Sequence, residues 1–587
     1  MRKAFLTLVL VLSLIPVLLS AGNYKSYRVS IYCRAYEVEK MADDKYLQES
    51  WDLISSQMKV DRVYLETHRD KLIVPQSTLD KAKKFFKSKG VETCGGITYT
   101  INERNNFETF CYTNPEHRKL AQEIAEYTAK NFDFIILDDF FFTDCKCDLC
   151  IEAKGDKSWT EYRLALMNDA GENLIMKPAK AVNPNVKIHI KYPNWYDDFQ
   201  GLGFNLEDGP YIFDGVWTGT ETRNPDGNQH LQNYEGYNII RYLDNLRPGH
   251  NGGGWVDSGG VNSSADRLAE QLWLTMFAKA PELAWFDFRG LVGNTIKPEW
   301  KAPWQGQGTS FDWDEMMVPF KKGVTPTTIA RLVGYTMEKI DPIVAQLGNP
   351  LGIASYKCFH TPGDDFLQNY LGMIGLPMNE LPYFPEDQKV VLLTEQAKSD
   401  PDLVKKIDAQ LHRGGDVVIT SGLLEAIPDK IAQFVELTID GKVMVNDFGR
   451  NGKADKDILI NQIGYYTNDS WEVISAGNPL SGGTSGWPIL HRGKYSKGNI
   501  YVLTIPDDFS DLYHYPVAAL NQIRTVLGRD LKVRLEGPAK VSLFVYDNDK
   551  AIVESFLDET VTVKLVYGDK SVPVTLKPHS FELIDIK

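Results

Sequence analysis

Positive charge and long apolar runs are both scarce in this 587-residue sequence. Lysine and arginine number 64 against 78 aspartate and glutamate, which gives a formal net charge of −14. A phosphate-rich partner needs a basic surface, so this balance argues against nucleic acid binding. Beyond the N-terminus, no apolar stretch approaches the roughly 20 residues that a membrane helix needs. The composition therefore excludes a nucleic-acid partner and membrane insertion.

Several catalytic signatures are also missing. Gly252–Gly254 lacks the spacing and the helix context of a phosphate loop, which argues against nucleotide binding. Cys358 directly follows an apolar run and is not part of a G-x-C-x-G turn, so no nucleophile elbow is indicated there. No Ser-His pair or open metal site is evident, which disfavours an esterase or deacetylase.

The N-terminus carries the pattern of a secretory signal peptide. Basic residues Arg2 and Lys3 precede an apolar run from Ala4 to Leu19, and small residues follow at Ser20–Gly22. A retained anchor is the alternative, but the run is short for a membrane span. No cysteine follows the small residues, so lipid attachment is not indicated. We expect residues 1–22 to be a signal peptide and the mature protein to be periplasmic or extracellular.

Apolar runs alternate with helical patterns through the first half of the chain. Gln76–Lys89 and Glu116–Asn131 are two such helical patterns. Eight strand–helix units predict a (β/α)8 barrel, and a doubly wound sheet is the alternative that this number disfavours. The eight predicted strands are Tyr27–Tyr36, Arg62–Thr67, Val91–Thr98, Phe134–Phe140, Val186–Tyr192, Phe213–Thr220, Gly252–Ser258 and Leu283–Arg289.

Polar residues follow the ends of these strands, where barrel enzymes place their chemistry. Crowded carboxyl groups raise one another's pKa, a cost that makes sense if two of them act in catalysis. The predicted catalytic residues are Asp138, Asp139, Glu221 and Asp257. Aromatic rings at strand ends can stack on sugars, although they can also be packing residues. The predicted substrate-binding residues are Arg34, Glu66, His68, Lys191, Trp195, Trp217, Trp255 and Asp287.

Each candidate carboxylate also has a structural interpretation. The Asp138-Asp139 pair can cap a helix, Glu221 can be a surface loop residue, and Asp257 can shape a glycine-rich turn. Asp287 lies two residues from Arg289, a spacing that favours a buried ion pair over a catalytic role.

Four of the seven cysteines form a pattern of their own. Cys145, Cys147 and Cys150 have C-x-C-x-x-C spacing directly after the fourth strand, and the topology returns Cys111 toward them. Four converging thiolates suit a tetrahedral structural zinc. Two disulfides are the alternative in an oxidising compartment, and unpaired thiols are a third possibility.

This cysteine pattern resembles the zinc cluster of glycoside hydrolase family 42 β-galactosidases. Related barrel glycosidases also show an Asn-Pro segment before the fourth strand, similar to Asn114-Pro115. The resemblance implies a barrel, then a Rossmann-like domain similar to glutamine amidotransferases that forms trimers, then a small β domain. Asp138-Asp139 stands where that family has Asn-Glu, so the family's substrate is not carried over.

The second half of the chain fits that order. We expect a signal peptide (1–22), the barrel (23–325), a Rossmann-like α/β domain (326–535) and an antiparallel β domain (536–587). Predicted strands of the second domain are Gly352–Lys357, Lys389–Glu395, Gly415–Ser421 and Asn499–Ile505, and its predicted helices are Asp365–Gly375, Asp400–Arg413 and Tyr515–Leu527. Predicted strands of the third are Lys540–Tyr546, Thr560–Tyr567 and Ser580–Ile586.

The function predicted from these features is a secreted glycoside hydrolase that cleaves a polysaccharide or glycoconjugate. Such hydrolysis needs two carboxyl groups across the bond and no cofactor. By analogy with α-glycosidase barrels, Asp138 or Asp139 is the nucleophile and Glu221 the acid/base, with retention of configuration. An Asp of strand four with Asp257 is the alternative pair. A non-catalytic glycan-binding protein is the alternative function.

Overall fold

The computed structural model describes residues 23–194, 199–225, 231–258, 264–465, 471–481 and 486–587. The predicted signal peptide and Trp195 lie outside the described residues. Among the helices described, none is both long enough and apolar enough to cross a lipid bilayer.

Eight parallel strands close into a barrel in the N-terminal region. The first strand pairs with both the second and the eighth, which leaves the barrel without a free edge. The predicted barrel and all eight of its strands are confirmed. They are β1 (Arg28–Cys33), β2 (Arg62–Arg69), β3 (Glu92–Ile97), β4 (Phe134–Leu137), β5 (Lys187–Tyr192), β6 (Gly215–Gly219), β7 (Asn251–Asp257) and β8 (Glu282–Phe286).

Helices follow the strands and cover the outside of the barrel. The Asn114-Pro115 segment starts one of them, because the Asn114 side chain accepts hydrogen bonds from the next free backbone N–H groups. The helices are α1 (Ala35–Lys40), α2 (Asp44–Ser55), α3 (Gln76–Ser88), α4 (Pro115–Asn131), α5 (Asp148–Lys154), α6 (Trp159–Asp169), α7 (Lys177–Val182), α8 (Phe199–Leu202), α9 (Gly209–Ile212), α10 (Glu235–Leu246), α11 (Ala265–Phe277), α12 (Phe288–Gly293), α13 (Trp313–Met316) and α14 (Ile329–Val344). A π-helical segment, Ala170–Met176, joins α6 to α7.

Aromatic side chains fill the barrel interior. Tyr32, Tyr64, Trp217 and Trp255 are all buried and belong to one cluster. Glycines make room for them, since a Cβ atom at Gly96 would lie 2.4 Å from the Tyr32 hydroxyl. The interior below the polar residues is therefore a packed core.

The second domain is built on a nine-stranded mixed sheet. Its parallel half confirms the four predicted strands and contains a fifth, Met378–Leu381, which was not predicted. The antiparallel half was not predicted from the sequence either. The strands are β9 (Ile353–Tyr356), β10 (Met378–Leu381), β11 (Val390–Leu393), β12 (Asp416–Thr420), β13 (Leu437–Asp447), β14 (Lys453–Tyr465), β15 (Val473–Pro479), β16 (Trp487–Tyr495) and β17 (Gly498–Leu503). The helices are α15 (Leu367–Met373), α16 (Leu403–Arg413), α17 (Ser421–Ala426), α18 (Pro428–Ile431) and α19 (Val517–Leu527).

The third domain is antiparallel β-structure, as predicted, and its strands form two small sheets. Its strands are β18 (Val533–Glu536), β19 (Val541–Tyr546), β20 (Lys550–Ser555), β21 (Val561–Tyr567), β22 (Lys570–Leu576) and β23 (Phe581–Asp585). The short strand Pro350–Leu351, which precedes the second domain, pairs with β19. The predicted domain boundaries themselves stay predictions.

Candidate active site

Lys191, on β5, is the centre of the polar cluster at the carboxyl end of the barrel. Its ammonium nitrogen lies 2.5 Å from Asp139 Oδ2, 3.3 Å from Glu221 Oε1 and 3.7 Å from Asp138 Oδ1. The same nitrogen lies 4.6 Å from the centre of the Trp255 ring, whose face attracts cations. The lysine side chain is 2% exposed, so water screens these contacts little. One buried cation therefore links the carboxyl groups that follow strands four and six.

Asp138 is the anchored member of the strand-four pair. Its Oδ2 accepts hydrogen bonds from Arg69 Nη2 at 2.9 Å and from Thr98 Oγ1 at 3.1 Å. Its Oδ1 accepts from the backbone N–H of Asp139 at 2.9 Å. Burial opposes ionisation of Asp138, but the charges of Lys191 and Arg69 outweigh it and lower the pKa. Asp138 is an ionised carboxylate whose oxygens are occupied by protein groups.

Asp139 and Glu221 hold protons more tightly than isolated carboxyls do. Burial, reinforced by the charges of Asp138 and Glu221, raises the pKa of Asp139 to about 7 in spite of Lys191. Burial and the charge of Asp257 raise the pKa of Glu221, again against the effect of Lys191. Three carboxyl groups surround one ammonium, so the cluster retains a proton near neutral pH.

The Asp139 and Glu221 carboxyls are close enough to flank one glycosidic bond. Because one oxygen of each carboxyl contacts the same nitrogen, these two oxygens lie less than about 6 Å apart, a limit that is compatible with the ~5–5.5 Å of retaining enzymes. Two neighbours set the position of Glu221. A Cβ atom at Gly219 would lie 2.7 Å from Glu221 Oε2, and Asn194 Nδ2 donates to the Glu221 backbone carbonyl at 2.6 Å.

Asp257, at the end of β7, is paired with Arg223. The guanidinium Nη2 lies 3.0 Å and Nε 3.4 Å from the two carboxylate oxygens of Asp257. Asp257 is close enough to Glu221 for its charge to raise the Glu221 pKa. The structure therefore brings all four predicted catalytic residues to one end of the barrel.

Comparison with protein families identifies the barrel. A family model described as "Probable glycosyl hydrolase, catalytic domain" matches residues 18–346. The chain belongs to this family. The second domain of the uncharacterized protein SSO3021 matches residues 348–508, and "Probable glycosyl hydrolase, C-terminal domain" matches 532–573. The predicted enzyme class, a glycoside hydrolase, is confirmed.

Relatives and solved structures agree with this assignment. The uncharacterized protein SSO3021 of Saccharolobus solfataricus is 24% identical over 562 residues, which is 87% of each chain. A cold-adapted β-galactosidase from Rahnella sp. R3 is 10% identical with a TM-score of 0.63, covering 95% of this chain and 98% of its own. A catalytic mutant of Gan42B, a family 42 β-galactosidase from G. stearothermophilus, is 11% identical with a TM-score of 0.60, covering 95% and 99%. At these identities the likeness shows the fold, and the predicted resemblance to family 42-like barrels is confirmed.

Arg34 and Asp287, both predicted to bind substrate, form an ion pair with each other in this glycosyl hydrolase. Arg34 Nε lies 3.0 Å from Asp287 Oδ2, and the same guanidinium donates to both carboxylate oxygens of Glu37 at 3.0 Å. Asp287 Oδ1 accepts from the Gly290 N–H at 2.7 Å and caps α12. Arg289, the partner expected from the sequence, lies at 3.5 Å and is mostly exposed. Asp287 is therefore a buried ion-pair residue whose main cation is Arg34.

Glu66 is an anchor, which corrects its prediction as a substrate-binding residue. Its carboxylate accepts from Arg69 Nε at 2.8 Å and Nη2 at 2.9 Å, from the Tyr32 hydroxyl at 2.8 Å and from the Ala35 N–H at 2.6 Å. It is 0% exposed. Glu66 fixes Arg69, which in turn fixes Asp138.

His68 and Trp217 are core residues, so their predicted contacts with substrate are wrong. His68 Nδ1 donates to the Thr98 carbonyl at 2.6 Å, and burial lowers its pKa to about 4. Its ring packs edge-on against Phe110. Trp217 lies at the third position of β6, where its ring meets Tyr64 at 5.8 Å and is fully buried.

Trp255 supports the site from below. Its indole stacks on Phe286 at 5.2 Å and carries the Lys191 ammonium on its face. At 2% exposure, the ring offers little surface to a ligand, so the prediction that it stacks on a sugar is wrong. The ring instead packs beneath the Lys191 ammonium.

Sequence reasoning missed three side chains that build the site, namely Arg69, Asn194 and Arg223. Each lies at a strand end or within four residues of one. The sequence prediction named Arg34 and Lys191 as the cations of the site and overlooked these three residues. Charge balance was the available signal, because two buried carboxylates such as Glu66 and Asp138 require a cation between them.

The four clustered cysteines converge in the structure. Cys111 Sγ lies 3.8 Å from Cys147 Sγ and 3.5 Å from Cys150 Sγ, and the latter two sulfurs are 3.7 Å apart. The ligand atoms of all four, including Cys145, lie within 4.8 Å of one another. Zn–S bonds of about 2.3 Å place tetrahedral sulfurs about 3.8 Å apart, whereas a disulfide needs about 2.05 Å. The spacing fits one tetrahedral metal better than it fits disulfides.

Proposed function

We propose that this glycosyl hydrolase is an exported enzyme that cleaves glycosidic bonds of a polysaccharide or glycoconjugate with retention of configuration. The observation that carries the proposal is the ammonium of Lys191 between Asp139 and Glu221, 2.5 and 3.3 Å from their oxygens. A retaining mechanism needs one carboxyl that holds a proton and a second that attacks the sugar. Shared contact with one cation supports a separation that is compatible with this mechanism.

Asp139 is proposed as the acid/base and Glu221 as the nucleophile. Asp139 has the pKa of about 7 that a general acid needs near neutral pH, and at 17% its side chain is the more exposed of the two. Burial raises the pKa of Glu221, but the charges of Lys191 and Arg223 oppose this rise and favour its ionised form. This assignment reverses the roles expected from the α-glycosidase analogy.

The reaction then has two steps. Asp139 donates its proton to the leaving oxygen while a Glu221 oxygen attacks the anomeric carbon, which breaks the glycosidic bond and forms a glycosyl ester. Asp139, now a carboxylate, removes a proton from water, whose oxygen displaces Glu221 from the same carbon. Lys191 keeps its charge throughout and offsets the carboxylate that is ionised in each state.

Replacement of the two carboxyls tests the proposal. Asp139→Asn and Glu221→Gln are each expected to lower kcat by at least about a thousandfold on a hydrolysed glycan. Glu123→Gln, on the exposed side of α4, is the matched control and is expected to keep full activity. Added azide should restore turnover by Asp139→Asn. The product should then be a glycosyl azide with the same anomeric configuration as the substrate. Full activity of Glu221→Gln together with inactive Asp257→Asn would transfer the nucleophile to Asp257.

The same panel addresses the non-catalytic alternative. A glycan-binding protein would bind members of the panel without hydrolysing any of them. Wild-type protein that binds glycans but turns over none would contradict the proposed reaction.

Export, the glycan partner and the oligomeric state are parts of the proposal that rest on the sequence. The N-terminal pattern of residues 1–22 supports a periplasmic or extracellular location, and resemblance to family 42 suggests a homotrimer. Fractionation of expressing cells and light scattering of the mature protein test both. Cytoplasmic protein with an intact N-terminus, or a monomer in solution, would contradict them.

We also propose that Cys111, Cys145, Cys147 and Cys150 hold a structural zinc ion. Four thiolates complete a tetrahedral shell and leave no position for water or substrate, which is typical of structural sites. The cluster ties the segment that follows Asp139 to the start of α4. Zinc would supply crosslinking here and take no part in the two-carboxyl reaction.

A further inference from the structure

Helix α11 lies between the loop that carries Glu221 and the third domain. We name Thr220–Arg223 the catalytic loop. Every residue of α11, from Ala265 to Phe277, is buried. A helix buried on all sides has a different partner on each face.

One face of α11 holds both ends of the catalytic loop. Thr275 Oγ1 lies 2.9 Å from Thr220 Oγ1, one residue before Glu221. Gln271 Oε1 accepts from the backbone N–H of Arg223 at 2.7 Å, two residues after Glu221. Residues four apart share a helix face, so Gln271 and Thr275 lie on one face of α11. Together they hydrogen-bond to the loop on both sides of Glu221.

Arg267 adds a third contact one turn earlier on the same stripe. Its Nη2 donates to Thr222 Oγ1 at 2.7 Å and its Nε to the Arg223 carbonyl at 3.0 Å. Its Nη1 pairs with Glu270. All three guanidinium nitrogens are thus occupied, and Arg267 is 6% exposed. The position of the guanidinium depends on Glu270.

Glu270 faces the third domain. Its Oε1 also accepts from Asn233 Nδ2 at 2.5 Å, whereas Oε2 lies 3.6 Å from His579 Nδ1. His579 is itself held by Asp558 at 2.8 Å and by stacking on Trp304 at 4.2 Å. The third domain therefore completes the charge environment of the Arg267–Glu270 pair.

Further contacts fix α11 against the third domain. Trp273 Nε1 donates to Glu554 Oε1 at 2.6 Å. The rings of Trp273 and Phe277 lie 5.3 and 5.0 Å from that of Phe581. Helix α11 thus packs against the third domain and hydrogen-bonds to the catalytic loop of the barrel.

We infer that Arg267 is a positioning residue for Glu221 and that the third domain, through His579 and Glu270, sets the position of the catalytic loop. The inference rests on the proposed function, because it assigns a purpose to holding Glu221 in place. A displacement of about 1 Å can cost about a hundredfold in rate, so a loosened loop lowers kcat more than it weakens substrate binding.

His579→Gln and Thr222→Val test the two ends of this chain of contacts. His579→Gln removes the imidazolium from Glu270, and Thr222→Val removes one acceptor of Arg267 without altering the helix. Each is expected to lower kcat about tenfold with KM changed less than about threefold. Amide hydrogen exchange of the catalytic loop is expected to quicken in both variants. His579→Lys, which restores a cation, is expected to recover part of both effects.

His514→Gln is the matched control. His514 is also paired with a carboxylate, Asp455 at 2.7 Å, but both residues belong to the second domain. This variant is expected to keep wild-type kcat and loop exchange. Unchanged kcat and exchange in both His579→Gln and Thr222→Val would overturn the inference. Exchange does not depend on catalysis, so an active Glu221→Gln would refute the proposed function separately.

Discussion

The ammonium of Lys191 donates to Asp139 Oδ2 over 2.5 Å, beneath a site in which carboxyl groups outnumber cations. Glu221 Oε1 lies 3.3 Å from the same nitrogen. The lysine lowers the pKa of both carboxyls, whereas burial and the charges of Asp138 and Glu221 raise the pKa of Asp139.

Replacement of this cation should disable the site. We expect Lys191→Met to lower kcat by at least about a hundredfold, because Glu221 then retains a proton and loses nucleophilicity. Removing one partner of a buried ion pair also costs about 3–5 kcal/mol of stability. Steady-state kinetics and thermal unfolding measure the two effects.

Lys180→Met is the control for that variant. Lys180 pairs with Asp214 at 2.9 Å, in a half-buried position. We expect wild-type kcat from it and a smaller loss of stability. Full activity of Lys191→Met would contradict the proposed role of the lysine.

The sequence was enough to predict the barrel and five residues of the polar cluster at its end, but it did not predict how deeply individual side chains are buried. Asp139, Lys191 and Glu221 were found because strand ends converge at one face of a barrel. Trp217 and Trp255 were both predicted to contact substrate, but both are buried inside the barrel. The alternation of side chains along a strand tells which side a ring occupies but not how deep it lies. The hydrogen bond from Arg267 to the Arg223 carbonyl joins residues 44 positions apart, so no local sequence pattern predicts it.

Asp139 should give the enzyme a pH dependence of stability opposite to that of a salt-bridged carboxylate. Its folded pKa of about 7 lies above the ~3.9 of the unfolded chain, so the native state binds more protons between these values. Stability from this group is therefore complete below pH 4 and declines as pH rises to 7, by at most about 1.4 kcal/mol per pH unit. Chemical denaturation of wild type and Asp139→Asn across this range measures the slope. We expect the wild type to lose more stability than the variant, and equal slopes would contradict the raised pKa.

The same proton sets the alkaline limit of activity. The acid form of Asp139 is required for departure of the leaving group, so kcat/KM should decline above pH 7. Some substrates have leaving groups that depart without protonation. For these substrates, kcat/KM should not decline above pH 7 when formation of the glycosyl ester limits the rate. A profile flat to pH 9 with a natural glycan would place the acid elsewhere.

Gly219 should be sensitive to a single added methyl group. A Cβ atom there would lie 2.7 Å from Glu221 Oε2 and 3.2 Å from the Asn194 nitrogen, so Gly219→Ala displaces the carboxylate. We expect kcat to decline about tenfold to a hundredfold because the attacking oxygen is misplaced. Gly201→Ala is the control, since nothing lies within 4 Å of an added Cβ at that site. Equal kinetics of the two variants would show that Glu221 tolerates the displacement.

The cysteine cluster should bind one zinc ion per chain. Sulfur separations of 3.5, 3.7 and 3.8 Å match a tetrahedral shell, and loss of one thiolate opens it. We expect elemental analysis of purified protein to give one equivalent of zinc in wild type and far less in Cys150→Ser. Cys358→Ser, which alters a buried cysteine of the second domain, should keep the metal. Thermal unfolding of Cys150→Ser should occur at lower temperature, because metal binding to the native state contributes folding free energy. Wild-type protein that is free of metal yet equally stable with and without added zinc would refute the structural zinc.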